Sequence, residues 1–309
     1  MDLARAAYAD RRFRLASTGL AAFSHLMTSR QGLFAIGPEG CKLIAHGLFF
    51  GLVVTPRAVF LFESADLPRH LRNTGRIVRL ERDGDSIVEW RIIAQDLSGG
   101  GHQMDLIDGR LHLVDTYNQR VRWFEPDGRE QGAHYPLPAA AYGDWAGGYA
   151  HVNSLLAVRD AILLVLHNGG AATGKPSELA VLDRRWKLND RRPLPGMGCH
   201  NLAVLEDGTL LTCASLSGEL VEVSGERIQI SDMMTRGLSI SPEGVVVGAS
   251  AFSNRLQRHD ARGSVHILTR DYATSQMFAL PGAPTDIRSL DAVDYSQSTT
   301  TSTISLRLR

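Results

Sequence analysis

Short apolar runs, each bounded by Gly, Asp, Asn or Pro, dominate this chain, and apolar residues at helical spacing are few. That pattern predicts a succession of β-strands. The runs also fall into register. FFGLVVTPRAVFLFESAD is followed by GRIVRLERDGDSIVEWRI. GHQMDLIDGRLHLVDTYNQRVRWFEPDG begins at Gly101. HVNSLLAVRDAILLVLHN begins at His151 and leads into SELAVLDRRWKL. HNLAVLEDGTLLTCASLSGELVEVSG begins at His200, and RGLSISPEGVVVGASAFSNRLQRHD begins at Arg236, closed by GSVHILTRDY.

Each unit reads strand, tight turn, strand, turn, and a third strand with large alternating residues. The tight turns are Asp108-Gly109, Arg159-Asp160, Asp207-Gly208 and Glu243-Gly244. This is the sequence form of an antiparallel propeller blade. Five units are explicit. A sixth is predicted from near Asp286, using strands up to the C-terminus, with the N-terminal run GLFAIGPEGCKLIAHG supplying an outer strand. Such an exchange removes the exposed sheet edges. The expected fold is therefore all-β: one six-bladed β-propeller domain over residues 1–309, its ring closed by an N-terminal strand. Seven blades is the alternative. Residues 1–20 read as a partly helical extension.

Composition narrows the classes. Lys+Arg and Asp+Glu are both 33, so the formal net charge is +0. Balanced charge gives no footprint for nucleic acid or an acidic membrane. No apolar window approaches the length of a spanning helix, and the opening MDLARAAYADRRFR lacks the apolar run of a secretory signal. Cys41, Cys199 and Cys213 are scattered, which reads as reduced thiols of a cytoplasmic protein.

His102, His151 and His200 lie 49 residues apart in turn, and each opens the first strand of its unit. The corresponding position in the next unit is Arg236. In the first unit it is Phe49 or Phe50, and in the last Asp286 or Arg288. First strands of a propeller run along the central channel, so their opening residues converge at one mouth. Three imidazoles there suit a divalent metal such as Fe, Zn or Mn, with Asp105 and Asn153 nearby as further ligands or supports. Direct contact with substrate, without metal, and a purely structural role are the other readings. Arg236 suits a carboxylate or phosphate, or else an ion pair with Asp286 or Asp291. His46, His70, His112, His134, His167, His259 and His266 are read as structural or surface residues.

The aromatic, glycine-rich stretch 139–150 leads into His151 and reads as a lid or as an ordinary loop. Tyr142, Trp145 and Tyr149 are its pocket candidates. The run 169–177 has the GxxxxGK spacing of a phosphate loop, but Pro176 stands where Ser or Thr is needed and no helix pattern follows.

The order of His102-Gln103-Met104-Asp105, His151-Val152-Asn153, Gly198-Cys199-His200-Asn201 and Thr235-Arg236-Gly237 resembles a family of uncharacterised six-bladed propellers carrying a domain of unknown function. The N-terminal TSRQGLFAIG is similar to that family's opening strand. The resemblance covers about residues 25–295. Gln103 and Cys199 depart from the family pattern, which has an acidic residue and Pro there. A more distant likeness runs to gluconolactonase-type and strictosidine-synthase-type propellers, which bind substrates at one channel mouth; it is an analogy of fold.

Two functions follow as expectations. One is a small-molecule enzyme, a divalent-metal-dependent lyase, hydrolase or isomerase in a biosynthetic setting, or a metal-free variant with a histidine base. It would use His102, His151, His200 and Arg236 catalytically and take an anionic, carboxylate-bearing substrate contacted by Arg236, Asn153, Tyr149, Trp145 and Arg288. The other is a non-catalytic binding module. No nucleic-acid or membrane partner is expected.

Overall fold

The computed structural model describes residues 13–64, 74–241, 244–253 and 261–291. Six antiparallel sheets form a six-bladed β-propeller, five of them four-stranded and one five-stranded. The innermost strands are Phe49–Val54, Gly101–Ile107, Val152–Val158, Cys199–Val204, Met234–Ser241 and Pro284–Ser289, for blades 1 to 6. Each packs beside the next around the axis, and the last packs beside the first.

The unbroken apolar runs follow from this arrangement. In a strand, successive side chains face opposite sides. Leu155 packs with Val114 and Val121 of blade 2, while Leu156 packs with Leu202 and Val204 of blade 4. Inner strands thus bury both faces. The outermost strand of blade 3, Leu188–Pro193, has one wet face and alternates half-buried with exposed residues.

The sixth blade is built differently from expectation. Its innermost strand, Pro284–Ser289, pairs with His25–Ser29, which pairs with Gly32–Gly37 and then Gly40–His46, with the short Arg14–Leu15 at the edge. The N-terminal region thus contributes every strand of this sheet except the innermost, where a single outer strand was expected. The blade begins at Pro284, two residues before the expected Asp286. The expected strands beyond residue 291 lie outside the described residues, as do residues 1–12 of the expected helical extension, Glu243 of one expected turn, His70 and His259. Residues 13–20 contain no helix.

Hydroxyl side chains clasp blade to blade at or just past the end of the second strand. Ser64 Oγ donates to Gly99 O at 2.7 Å, Thr116 Oγ1 to Val152 O at 2.7 Å, and Ser215 Oγ to Thr235 O at 2.6 Å. Val152 and Thr235 lie on the innermost strand of the following blade, and Gly99 in the turn that leads into it. Thr28 Oγ1 donates to Phe50 O at 3.1 Å across the closing junction. A buried carbonyl deprived of such a donor costs about 1–3 kcal/mol. Thr116→Val keeps the shape and loses the clasp. It is expected to lower the melting temperature by roughly 2–6 °C, read by calorimetry, and an unchanged melting temperature would remove the clasp from the account.

Candidate functional site at the channel mouth

One mouth of the channel holds a cavity of about 210 Å³. His102, His151, His200, Arg236 and Phe50 all line it, so five of the six ring positions read from the sequence converge, and the sixth, Asp286 or Arg288, does not line it. His102, His200 and Phe50 are the second residues of their strands, and Arg236 is the third of its own. His151 stands one residue before its strand, with φ of 51°.

His167, read from sequence as a structural or surface residue, and Arg30, not singled out there, also line the cavity. Each directly follows the second strand of its blade, Ala161–Leu166 and His25–Ser29. That is the clasp position occupied by Ser64, Thr116 and Ser215 elsewhere. Where the cavity takes a functional side chain from this position, another hydroxyl serves as clasp. In blade 3 it is Ser177, whose Oγ donates to His167 O and accepts from Cys199 N. In blade 6 it is Thr28.

The loop 139–150 forms the roof. Gln119 is buried and holds both ends of it: Nε2 donates to Pro138 O at 2.6 Å, and Oε1 accepts from Ala150 N at 2.6 Å. Trp145 lines the cavity and lies against Gly169, where a Cβ would come within 2.5 Å of the indole. Gly169 also has φ of 64°, so glycine suits it twice over. Tyr142 lines the cavity as well, beside Tyr117 with ring centroids 4.4 Å apart. Tyr149, expected to touch substrate, instead stands buried behind His151. Its OH donates to Thr116 O at 3.0 Å and meets His151 Nδ1 at 3.4 Å.

The surrounding acceptors fix the neutral tautomers. His200 Nδ1 lies 2.7 Å from Gly198 O and 2.9 Å from Ser215 Oγ, whose own proton goes to Thr235 O. Both partners accept, so Nδ1 carries the proton and Nε2 is the basic nitrogen. His102 Nδ1 faces Gly100 O at 3.3 Å, with the same consequence. His151 Nδ1 faces the Tyr149 oxygen, whose proton is committed to Thr116 O. His167 is the reverse. Its Nδ1 accepts from Gly169 N at 3.1 Å, so its Nε2 carries the proton. The site therefore sets three ring acceptors beside one ring donor.

Burial first, and then the nearby Arg236 guanidinium, hold the His200 imidazole well below its usual range. Deeper in the channel, burial pushes the Asp286 carboxyl up to about 7, against the pull of Arg288. Asp286 Oδ1 accepts from Asn201 Nδ2 at 3.1 Å, and Oδ2 lies 3.7 Å from Arg288 Nε. Asp286 thus pairs with Arg288. Arg288, expected at the substrate, lies outside the cavity lining and donates to Met104 O at 3.3 Å. Asn153 lines a second chamber of about 10 Å³, which shares Phe50, His102, His200 and Arg236 with the first. That volume is about one water molecule. Asp105 accepts from Leu106 N and lines neither space.

A metal shared by His102, His151 and His200 was expected from their equivalent positions, and the three rings line the cavity together with His167. The rings form an arc, with centroids 5.5 Å apart for His102 and His151, 4.9 Å for His151 and His167, and 5.1 Å for His167 and His200. His167 stands between the second and third expected ligands and presents a proton. Among the described residues no three His, Cys, Asp or Glu side chains are placed to hold a metal ion. A cleft of about 260 Å³ at the opposite face, between blades 4 and 5, contains Glu206, Asp207 and Arg270 and gathers no histidines. No helix among the described residues is long and apolar enough to cross a membrane.

No family model matches this chain, and no curated protein matches it. Solved structures do. A chain of the nidogen–laminin complex is 11% identical with a TM-score of 0.59, covering 87% of this chain and 99% of that one. A gluconolactonase-like protein is 15% identical with a TM-score of 0.53, covering 89% of each. A catalytically inactive virginiamycin B lyase from Staphylococcus aureus, crystallised with quinupristin, is 11% identical with a TM-score of 0.50, covering 87% of this chain and 89% of that one. At these identities the likeness shows the fold, which enzymes and binding proteins share.

Two measurements check the electrostatics. Nitrogen-15 NMR at pH 8 is expected to show Nδ1–H rings for His102, His151 and His200 and an Nε2–H ring for His167; a uniform tautomer would contradict the assignment. The second concerns stability. His200 stays neutral in the fold while the unfolded chain protonates near about 6.5, so its contribution is lost as pH falls through that value. Asp286 acts oppositely: the fold keeps its proton up to about 7, whereas the unfolded carboxyl releases it near about 3.9. Acidification from pH 7.5 to 5 is therefore expected to cost His200→Gln less stability than wild type, and Asp286→Asn more, in guanidinium titrations.

Proposed function

We propose that the protein is an enzyme acting on a small carboxylate-bearing substrate at the channel mouth, by acid–base chemistry of the lyase or isomerase kind. The observation that carries this reading is the pairing of opposite tautomers, His200 with a basic Nε2 and His167 with a protonated one, beside Arg236. The guanidinium fork suits a carboxylate and withdraws charge from the adjacent carbon. His200 Nε2 then takes the proton from that carbon. In an elimination, the electron pair left behind forms the new double bond as a β-oxygen departs; His167 Nε2–H hydrogen-bonds to that oxygen, and the proton taken up by His200 Nε2 leaves with it. In an isomerisation, the proton is returned at the neighbouring carbon. The low basicity of His200 keeps it unprotonated at neutral pH, and the carboxylate held by Arg236 makes its adjacent proton easier to remove. The roof with Trp145 and Tyr142 limits water. Hydrolysis uses the same pair with water in place of the carbon acid.

The test is turnover of a panel of hydroxy acids, sugar acids and unsaturated acids, read by mass spectrometry. His200→Gln is expected to lower kcat at least about a hundredfold with KM little changed. Arg236→Gln is expected to raise KM about tenfold or more. A chelator is expected to leave activity intact. Loss of activity to the chelator and recovery with a divalent metal would overturn the acid–base reading, and anion binding without turnover would identify a binding module.

A further inference from the structure

The small chamber of about 10 Å³ beside the mouth sits where the six blades meet. Every innermost strand contributes to its wall: Phe50, Gln103, Asn153, His200, Arg236 and Thr285, in blade order. The ladder of blade 3 shifts register between Val152 and Ser154, so the consecutive side chains of Asn153 and Ser154 both reach it. Asn153 is 1% exposed. Its Nδ2 donates to Cys199 O at 3.0 Å, while its buried Oδ1 accepts from no described residue. A buried carbonyl without a donor is costly, so this one calls for a ligand. Two neighbours on the wall have hydrogens to give. Gln103 Oε1 accepts from Leu155 N, so Nε2 is the end of its amide that can donate. Ser154 Oγ accepts from Asn201 N at 2.8 Å, which leaves its own proton to donate. Asn201, by contrast, commits both ends of its amide, to Gly237 N and Asp286. The remaining acceptor is His200 Nε2, the basic nitrogen of a ring that lines both spaces.

A wall of this kind selects its ligand. A metal or ammonium cation needs acceptors alone and would face the hydrogens of Gln103 and Ser154. An anion needs donors alone and would face Asn153 Oδ1 and His200 Nε2. Water gives two protons and takes two, and so matches both sets. A space of this size holds about one water, and a buried water makes roughly 2–4 hydrogen bonds. We infer that the chamber binds a single water molecule, which accepts from Gln103 Nε2 and Ser154 Oγ and donates to Asn153 Oδ1 and His200 Nε2. The water thereby joins blades 2, 3 and 4 at the axis and forms a polar wall of the mouth. Its bond to His200 is the one that meets the cavity. A substrate atom that comes to His200 displaces that bond and leaves the water on the other three. The inference uses the His200 tautomer assigned above and holds whether or not the mouth turns over a substrate.

A high-resolution crystal structure of the intact protein tests this. One density peak is expected at hydrogen-bond distance, about 2.5–3.0 Å, from Asn153 Oδ1. Absence of a peak overturns the inference. So does an anomalous signal at that point from crystals soaked in rubidium chloride, which identifies a cation site. Asn153→Leu keeps the approximate shape and removes the carbonyl. It is expected to lose the peak and to move the nitrogen-15 resonance of His200 Nε2 downfield, as an imine nitrogen does when it loses a hydrogen-bond donor. A retained peak overturns the role of Asn153, and an unmoved resonance overturns the bond to His200. Should Asn153→Leu fail to fold, the wild-type protein supplies a second measurement: nuclear Overhauser cross-peaks are expected between the water line and the Gln103 side-chain amide, and their absence overturns the inference. The two readings fail separately. A bound water without turnover sinks the catalytic reading alone, and turnover by a protein with no water in the chamber sinks this one alone.

Discussion

Closure of the ring, and with it the completed channel mouth, depends on one strand pairing, that of His25–Ser29 with Pro284–Ser289. It joins segments more than 250 residues apart; Thr28 and Asp286, paired across it, are separated by 258 positions. Closing so long a loop carries a large entropy cost, and local contacts cannot meet it. The ladder is reinforced by burial: Met27 and Ile287 face each other across the junction and are fully buried. Closure also decides the chemistry. It brings Arg30 of blade 6 and Arg236 of blade 5 against Phe50 of blade 1, three residues from the two sides of the seam. An open ring would keep the histidine arc of blades 2 to 4 and lose the convergence of the two arginines.

The axis is polar, and its polar groups serve the ring before they serve any ligand. Gln103 Oε1 accepts from Leu155 N, Asn153 Nδ2 donates to Cys199 O, and Asn201 bridges Gly237 N and the Asp286 carboxyl. Each bond joins one blade to another. Such a network is strong in a low-dielectric interior and costly where incomplete. The same environment opposes charge, which is why the His200 imidazole is held neutral and the Asp286 carboxyl keeps its proton up to about 7. The cohesion of the ring and the tuning of its mouth are one effect seen at two depths.

The blade repeat and the convergence of four ring positions were legible in the sequence, because they depend on patterns of period two and on recurring tight turns. His102, His151, His200 and Arg236 occupy equivalent places in successive units, and a repeat exposes such positions directly. His167 and Arg30 lie past the ends of second strands, where a repeat aligned on its innermost strands does not expose them; the signal that marks them is the recurring hydroxyl of Ser64, Thr116 and Ser215, whose place they take. Other placements were not open to pattern reading. The register of the sixth blade depends on which terminus supplies which strands, and apolar runs are interchangeable at that level. Tyr149 and Arg288 share strands or loops with true lining residues, and small backbone rotations decide which side chain faces the cavity. Three equivalent histidines predict proximity, but the intervening His167 and the spread of the arc are three-dimensional facts.

Backbone strain gives an independent view of the same region. Among the described residues, eight other than glycine have positive φ; of these His151 lines the mouth, Asn201 lines the small chamber beside it, and Gln119 and Asn168 flank its loops. A left-handed conformation outside glycine costs of order 1–3 kcal/mol and persists where surrounding contacts over-determine it. Gln119 holds the roof loop by both ends, and Asn168 leads into the glycine against which Trp145 lies. Asn201 ties blade 4 to blades 5 and 6. His151 reaches the cavity from a position outside its own strand, with φ of 51°. Glycine would relieve the strain at each position and would forfeit the side chain that makes the contact. At Gln119 and Asn201 those contacts hold the roof loop and join blades, whereas at His151 the strained residue itself lines the mouth.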